Sequence, residues 1–536
     1  MLDKMSPNQR LLVAVLLSII FFVGYTAIFP PAEPEVAKDA KTEMNKDVPA
    51  AQQDTNIEKK VEEVAGHTIA QSEKISSDLT NIVTIKNDKF ILKIDTLGRI
   101  ASKELLEEKF RNDEDLHAQV IPQDGTKPLF IRFADDALNK AAIATPYTAS
   151  LREATLEEGK PVTVTLTQKL PSLTVTKVLT FYADGHYDAK ISTSQDVRHF
   201  VYLGDRPHVS KKLMAVAGAL VYTGDDVLHI IEDGDADSRQ VFSDVKLAST
   251  FDQYTAIILY GFKKTTNVIV ERGRDDNPVV YFDAMKDENI HGYIGPKEYK
   301  TLKSIDPVLT NAIEYGWFTF AAKPLFALLS WLHDIFGNWG WAIIALTAII
   351  RIVLYPLTYK GMVSMQKMKE LAPKLKELKE KYGKDPQKLN AMTMEMYKKH
   401  GANPLGGCLP MVLQIPIFFA LYRTLLNAVE LQGAPWILWI HDLSRMDPYY
   451  VLPILMGASM FLQQRMTPNN FTDPLQEKVF KYLPIIFTFF FVTFPSGLVL
   501  YWFVNNLFSI AQQFIVNQQF KNAKEAKAAL EKKSEK

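Results

Sequence analysis

Between Trp341 and Lys360 the chain carries an apolar run, WAIIALTAIIRIVLYPLTYK, that is long enough to cross a lipid bilayer as a helix. Arg351 lies well inside this run. A cation at such depth is costly, so it normally faces a polar cavity and marks a functional site. Thr347 lies one helical turn earlier on the same face. The run therefore predicts a membrane-spanning helix with a polar site beside it.

The alternative for Arg351 is that its long side chain extends along the helix to the lipid headgroups. Lys360 marks the inner end of the span, about 13 Å away at a rise of 1.5 Å per residue. A guanidinium that reaches roughly 6–7 Å falls short of that interface unless water penetrates to meet it. The depth favours a water-filled groove over extension to the headgroups, and the sequence leaves both open.

The composition is that of a membrane protein with several domains. The chain has 536 residues with 61 basic and 61 acidic side chains, yet the apolar and basic runs both concentrate towards its C-terminal end. The single cysteine, Cys408, excludes an intramolecular disulfide. The sequence contains no phosphate-binding glycine loop, no nucleophile elbow and no metal-ligand spacing. We therefore expect no cofactor, no metal and no enzymatic activity.

The N-terminal segment, residues 1–29, contains a continuous apolar run preceded by basic residues. A cleavable signal peptide is the alternative, but the run is longer than the apolar part of such peptides and contains aromatic residues near its end. We predict an uncleaved transmembrane anchor with a cytoplasmic N-terminus. Residues 30–81 are rich in Pro, Ala, Glu and Lys and predict a flexible linker.

Residues 82–314 alternate apolar and polar side chains, as in PVTVTLTQ, between turns rich in Asp, Gly and Asn. No strong helical period interrupts this pattern, which favours one large domain of antiparallel sheets packed as a β-sandwich outside the cytoplasm. Four of its carboxylates could belong to a glycan hydrolase, although their turn-like contexts favour local hydrogen bonding. These residues are Asp184, Asp188, Asp225 and Asp226.

The C-terminal part predicts a helical membrane domain. Residues 315–338, with Pro324 near the expected helix start, favour an amphipathic helix in the outer membrane interface. A five-helix core follows at 339–518, and it includes a lysine-rich helical hairpin at 361–402 with a break at Gly383 and Asp385-Pro386. The predicted spans of this core cover 341–359, 409–428, 451–464, 482–494 and 498–516.

Lysine distribution gives these spans an orientation. The hairpin and the basic tail at 519–536 carry a lysine excess, which is typical of cytoplasmic segments. With the N-terminal anchor there are six spans, which return both chain ends to the cytoplasm.

Two further polar residues lie in the third span of the six. Gln414 lies near the predicted depth of Arg351, where a glutamine serves either as a helix–helix contact or as part of a polar site. Arg423 lies near the outer end of the same span, and extension to the headgroups explains it adequately.

Aromatic side chains are dense in the third and fifth spans, notably at Phe418 and Phe487. Ordinary packing against lipid or core is the default, and an apolar surface that adapts to varied segments is the alternative. The six methionines of the hairpin fit the same two explanations, since methionine surfaces repack around varied partners. They are Met362, Met365, Met368, Met392, Met394 and Met396.

Four stretches together resemble the YidC/Oxa family of membrane protein insertases, in particular its long Gram-negative form. They are RIVLYPLT, NPLGGCLPMVLQIPIFFALY, WIHDLSRMDPYYVLPILMG and FPSGLVLYW, and their order is specific. The resemblance covers essentially the whole chain. It implies a periplasmic β-supersandwich domain and a core of five spans around a groove that opens to cytoplasm and lipid but not to the periplasm.

The resemblance also implies roles for individual residues. Arg351, with Thr347 beside it, would make the groove hydrophilic and attract acidic parts of an incoming chain without nucleotide hydrolysis; Gln414 joins this set from its depth. Substrate segments would slide along the third and fifth spans. The contacts implied for that slide are Ile415, Phe418, Phe487 and Phe490. Asn517 departs from the aromatic contact expected there in close relatives.

The implied partners are nascent inner-membrane proteins, the Sec translocon subunits, membrane lipids, and the ribosome and a targeting receptor through the hairpin and tail. Two other classes compete with this interpretation. A solute transporter requires internal repeats and an occluded site at the midplane, and neither is evident in the sequence. A membrane-anchored glycan-processing enzyme requires paired catalytic carboxylates in the β domain.

Overall fold

The computed structural model describes residues 79–110, 116–209, 216–236, 239–273, 276–315, 319–383, 385–401, 404–466 and 474–534. The predicted N-terminal anchor and all but the last three residues of the predicted linker lie outside this part of the chain.

The described residues up to 315 form a domain of three β-sheets, as their period-two pattern predicts. The strands in chain order are β1 Asn81–Lys86, β2 Phe90–Asp95, β3 Ile100–Leu105, β4 Ile131–Phe133, β5 Thr148–Ala149, β6 Glu153–Thr155, β7 Val162–Lys169, β8 Thr174–Phe181, β9 His186–Thr193, β10 His199–Tyr202, β11 Gly218–Thr223, β12 Leu228–Glu232, β13 Gln240–Phe242, β14 Val245–Phe251, β15 Thr255–Tyr260, β16 Val268–Arg272, β17 Pro278–Ala284 and β18 Asp287–Pro296.

The largest sheet has nine strands in the order β12-β11-β14-β15-β18-β9-β8-β7-β5. The second has the order β13-β16-β17-β10-β4, and the third has the order β3-β2-β1-β6. All named pairs are antiparallel except β1 with β6. One apolar core takes side chains from all three sheets, for example Ile85, Val164 and Val201, each with 0% exposure. The predicted β-rich domain is therefore confirmed, and it holds one parallel pair that the sequence did not indicate.

Lys177 of β8 joins these sheets through its buried ammonium group. Its Nζ donates to the backbone oxygens of Gly98 and Leu129, at 2.8 and 2.7 Å. Burial lowers the pKa of Lys177 to about 7. The two carbonyls belong to segments outside the nine-stranded sheet, so this one side chain links separate layers.

Short helices interrupt the strands, contrary to the sequence pattern. Helix α1, Asp136–Ala144, begins after Asp135, whose side chain accepts from the Leu138 amide. Helix α2, Tyr299–Ile305, follows the last strand. Turns of 3-10 helix cover Glu108–Phe110, Pro307–Ala312 and, farther along the chain, Val429–Leu431. The alternation of residues over 82–314 concealed α1 because it is short and bounded by strands.

The remaining helices are α3 Thr319–Phe336, α4 Trp339–Tyr382, α5 Pro386–Lys399, α6 Pro404–Asn427, α7 Val451–Met466, α8 Pro474–Phe491 and α9 Ser496–Ser534. By length and composition, α4 and the Ser496–Asn522 part of α9 each suffice to cross a membrane. Pro324 lies inside α3 rather than at its start, so the expected start was wrong by about a turn.

Two of the predicted boundaries between segments fall inside continuous helices. Helix α4 joins the predicted span to the first arm of the hairpin in one element of 44 residues. Helix α9 likewise runs from the last predicted span into the basic tail. Helix α4 continues through Pro356 and Gly361, whereas α9 has no Gly or Pro near its junction. In both helices the Lys and Glu residues beyond the junction are good helix formers. The chain does break after Tyr382 and restart at Pro386, where Asp385 accepts from the Lys388 amide.

A second apolar core connects the β domain to these helices. It includes Leu220 and Ile258 from the nine-stranded sheet, Leu329 from α3, Ile343 from α4 and Leu500 from α9. Since this core crosses the boundary between the two parts, the helices around Arg351 are supported by the sheet.

Candidate functional site in the helical domain

Arg351 lies on α4 with its guanidinium directed at α9. Its Nε donates to the Asn505 side-chain oxygen at 2.8 Å. Its NH2 group donates to the Asn505 backbone oxygen at 3.1 Å and to the Ser509 hydroxyl at 2.7 Å. Only 8% of the residue is exposed. The next residues, Ile352 and Val353, are about 70% exposed, so α4 separates a polar inner face from an apolar outer face.

The charge of Arg351 has only neutral partners within the described residues. No carboxylate there lies within ion-pair distance of its guanidinium, and its three acceptors are an amide oxygen, a carbonyl and a hydroxyl. Such acceptors satisfy N–H groups without cancelling the positive charge. The bonds run sideways to α9 and not along α4 towards the headgroups, which favours the inward orientation over snorkelling.

Thr347 is 1% exposed and lies on the buried side of α4, but it does not bond to Arg351. Its hydroxyl donates to the Ile343 backbone oxygen at 2.7 Å. This bond to the preceding turn is usual for threonine inside a helix. Thr347 therefore places a polar oxygen near the site, but its hydroxyl proton is already donated to the Ile343 backbone oxygen.

Gln414 extends the site from a third helix, α6. Its side-chain nitrogen donates to the Tyr501 hydroxyl at 2.8 Å. Tyr501 lies one turn before Asn505 on α9. Arg351 of α4 and Gln414 of α6 therefore bond to residues of α9 that are one turn apart, Asn505 and Tyr501.

The predicted slide residues meet at an aromatic cluster. Phe418 of α6 lies edge-on to Trp502, with ring centroids 4.6 Å apart. Phe487 of α8 lies 5.9 Å from the same indole. Phe490 contacts Phe494 at 4.8 Å. The side chain of Ile415 lies outside the described part of the chain.

The sequence interpretation missed α9 as the helix that supplies the partners of both Arg351 and Gln414. Asn505 and Ser509 are four residues apart, as are Ser509 and Gln513, so a polar stripe runs along an otherwise apolar helix. That stripe was the available signal. Trp502 is the last residue of FPSGLVLYW, but the sequence pattern did not predict a function for it. Asn517, in turn, accepts from Gln513 within its own helix at 2.9 Å.

Arg423 requires a correction. Its NH1 group lies 3.9 Å from a carboxylate oxygen of Glu314, at the end of the β domain. Glu314 is almost fully buried. The arginine is thus attracted to a carboxylate of the protein, and extension to lipid headgroups is not needed to explain it.

The four β-domain carboxylates are hydrogen-bonded within the domain, some to neighbours in the chain and some across strands. Asp225 accepts from the Thr223 hydroxyl, and Asp226 accepts from Tyr222 and Lys246 in a turn with a positive φ. Asp188 accepts from Tyr182 and contacts His291, while Asp184 contacts His186. These bonds match the turn chemistry expected for Asp225 and Asp226.

A β-rich domain joined by one apolar core to helices that surround a buried cation defines a membrane protein with a polar site inside its helical part. Comparison with known proteins identifies the family. Residues 82–328 match the family described as YidC periplasmic domain, and residues 331–524 match the family described as 60Kd inner membrane protein.

Curated relatives match over nearly the whole length. The "Membrane protein insertase YidC" of Wolinella succinogenes is 47% identical over 98% of both chains. Those of Campylobacter jejuni and Helicobacter pylori are each 44% identical, over 97% and 98% of both chains. A crystal structure described as "Active YidC insertase crystal structure with the first transmembrane domain resolved" aligns at 20% identity and a TM-score of 0.36, over 81% of this chain and 94% of its own.

The chain belongs to the YidC family of membrane protein insertases. It is therefore an inner-membrane protein with a periplasmic β-rich domain and a helical membrane region, and its substrates are nascent membrane proteins. The family is one of insertases and not of enzymes, which sets aside the solute transporter and the glycan-processing enzyme.

Proposed function

We propose that this chain inserts membrane proteins through a hydrophilic groove whose attracting charge is Arg351, with Thr347 and Gln414 in the same groove. The observation that carries the proposal is the neutral hydrogen bonding of the guanidinium, because a cation without a carboxylate partner keeps its field. An acidic segment of a substrate is drawn part-way across the membrane. Partition of its apolar segment into lipid then drives insertion without nucleotide hydrolysis.

In the proposed arrangement six spans bring both termini to the cytoplasm. Residues 1–29 form the anchor and 30–81 the periplasmic linker, which leads to the domain at 82–314. The helix at 315–338 lies in the interface. The core at 339–518 opens its groove to cytoplasm and lipid. The large exposed side chains of α3, such as Phe320 and Trp331, support its contact with lipid.

Substrate apolar segments slide along α6 and α8 past Ile415, Phe418, Phe487 and Phe490. The aromatic cluster around Trp502 supports this path, because it joins both helices beside the polar site. The cytoplasmic hairpin at 361–402 and the tail at 519–536 receive the chain from the ribosome or a targeting receptor. Sec translocon subunits and membrane lipids are the other proposed partners.

The test of the charge is Arg351→Ala. We expect it to reduce insertion of substrates with acidic translocated segments and to spare the same substrates with neutral segments. Arg465→Ala is the matched control, since this arginine of α7 stacks on Phe461 instead. Normal insertion of acidic substrates in the Arg351 variant contradicts the proposal.

The test of the slide is crosslinking of stalled nascent chains to single cysteines that replace Ile415 or Phe490, in a Cys408→Ser background. We expect crosslinks at both positions with substrates of different sequence. Ile454→Cys, exposed on α7, provides the control. Equal crosslinking at the control position argues against a defined path.

A further inference from the structure

The guanidinium of Arg351 is held by a single turn of α9. Asn505 and Ser509 are one helical turn apart and supply all three acceptors described above. The Ser509 hydroxyl also donates to the Asn505 backbone oxygen at 3.0 Å, so donors and acceptors form one closed set. The orientation of the cation therefore depends on this turn and not on α4 alone.

Two of the N–H groups of Arg351 remain available to a substrate. A guanidinium has five N–H groups, and three are used by Asn505 and Ser509. The two on NH1 have no hydrogen-bond partner in the described part of the chain. The planar guanidinium is thus anchored through Nε and NH2, while NH1 can donate to a carboxylate of a substrate.

We infer that Asn505 is a positioning residue of the insertase site, whose neutral side chain anchors Arg351 while leaving its charge available to acidic segments. This inference rests on the proposed function of Arg351. An amide oxygen is suited to this task. A carboxylate at the same place would form an ion pair with the guanidinium and cancel the attraction, whereas an apolar side chain would leave Nε–H unpaired.

The experiment compares Asn505→Asp with Arg351→Ala in insertion of paired substrates that differ only in the charge of the translocated segment. Asparagine and aspartate have nearly the same shape, so the variant changes charge and little else. We expect roughly tenfold slower insertion of the acidic substrate, comparable to Arg351→Ala, and little change for the neutral substrate. A purely structural role would slow both substrates alike.

Asn506→Asp is the matched control. Asn506 is the next residue of α9, but its side chain donates to the Ser459 hydroxyl on α7, at 3.1 Å. The same charge there should not neutralise Arg351, so the preference for acidic substrates should persist.

A second variant, Asn505→Ala, tests the position without adding charge. It should weaken the preference for acidic substrates in the natural background and have no further effect when Arg351 is already alanine, because Asn505 acts through that arginine. Asn505→Ser, which retains an oxygen acceptor, should recover part of the preference.

The outcomes separate the two proposals. If Arg351→Ala removes the preference and Asn505→Asp leaves it intact, the positioning role of Asn505 is overturned and the proposed function stands. If Asn505→Asp and Asn505→Ala each slow neutral and acidic substrates equally, the role of Asn505 is structural only and the inference is again overturned. If Arg351→Ala has no selective effect, the proposed function fails and this inference fails with it.

Discussion

Arg351 shows how a single residue can be buried, hydrogen-bonded and still electrostatically active. Its partners Asn505 and Ser509 are polar but neutral, so they offset part of the cost of desolvation without removing the charge. A carboxylate partner would lower that cost further and remove the attraction. The chemistry of the acceptors therefore decides whether the site can act on a substrate.

Arg351→Lys tests whether the planar guanidinium is needed in addition to its positive charge. Lysine keeps the charge but has one donor centre instead of a planar group with five N–H donors, so it cannot make both the Asn505 and Ser509 contacts in the same geometry. We expect acidic substrates to remain preferred over neutral ones, but less strongly than in the natural chain because the cation is no longer anchored by Asn505 and Ser509, and we expect neutral substrates to insert at an unchanged rate. Insertion rates for the paired substrates provide the measurement. A lysine variant with no preference, like the alanine variant, contradicts the view that a positive charge at this position is enough for some selectivity.

At the scale of elements, a glycine allows α7 and α8 to approach closely. A Cβ atom on Gly457 would lie 1.8 Å from Oγ1 and 3.1 Å from Cβ of Thr488. The 1.8 Å distance is shorter than any non-bonded contact permits, so a side chain at 457 must either displace the Thr488 side chain or push the helices apart. Because α8 carries Phe487 and Phe490, their positions depend on this contact.

Gly457→Ala is expected to destabilise the helical domain by about 1–3 kcal/mol, the usual cost of overpacking. Thermal unfolding in detergent measures the change. The double variant Gly457→Ala/Thr488→Ala should recover part of the loss because it removes the hydroxyl that the new methyl group meets. Unchanged stability in the single variant would show that α8 can shift freely.

At the scale of the whole molecule, the C-terminal end of α6 is fixed to the β domain. Gln253 donates from its side chain to the Leu426 backbone oxygen at 2.8 Å, and Val429 joins the core of the sheets. Glu430 accepts from the Tyr299 amide at 2.7 Å. These contacts hold the end of α6, a helix of the proposed slide, against the periplasmic domain.

Burial raises the pKa of Glu430 from 4.5 to about 7. The folded protein therefore binds this proton more tightly than the unfolded chain does. The contribution of Glu430 to stability is largest below pH 4.5 and is lost as the pH rises from 4.5 to about 7, by roughly 3 kcal/mol in total.

Glu430→Gln should remove that contribution while its amide oxygen still accepts from Tyr299. We expect the variant to gain stability over the natural chain at pH 8 and to match it more closely at pH 5. Thermal unfolding at the two pH values measures the difference, with the exposed Glu153→Gln as control. Parallel pH profiles for the variant and the natural chain would assign the dependence to another group.

Sequence periodicity predicted much of the architecture because it reports which faces of a segment are apolar. The alternation in β7 and β8, the apolar run around Arg351, and the break between Tyr382 and Pro386 all appear in the structure. Periodicity did not predict that α4 continues beyond Lys360 to Tyr382. A helix can continue from lipid into water when the residues on both sides favour helix.

The sequence by itself determined that a cation lies deep in an apolar helix, and that it must therefore face something polar. Only the tertiary structure decided what that is. Asn505 and Ser509 lie 154 and 158 residues farther along the chain, and no local pattern connects them to Arg351. Helix packing selects which polar stripe faces which charge, because each helix offers several faces and only assembly determines its neighbour.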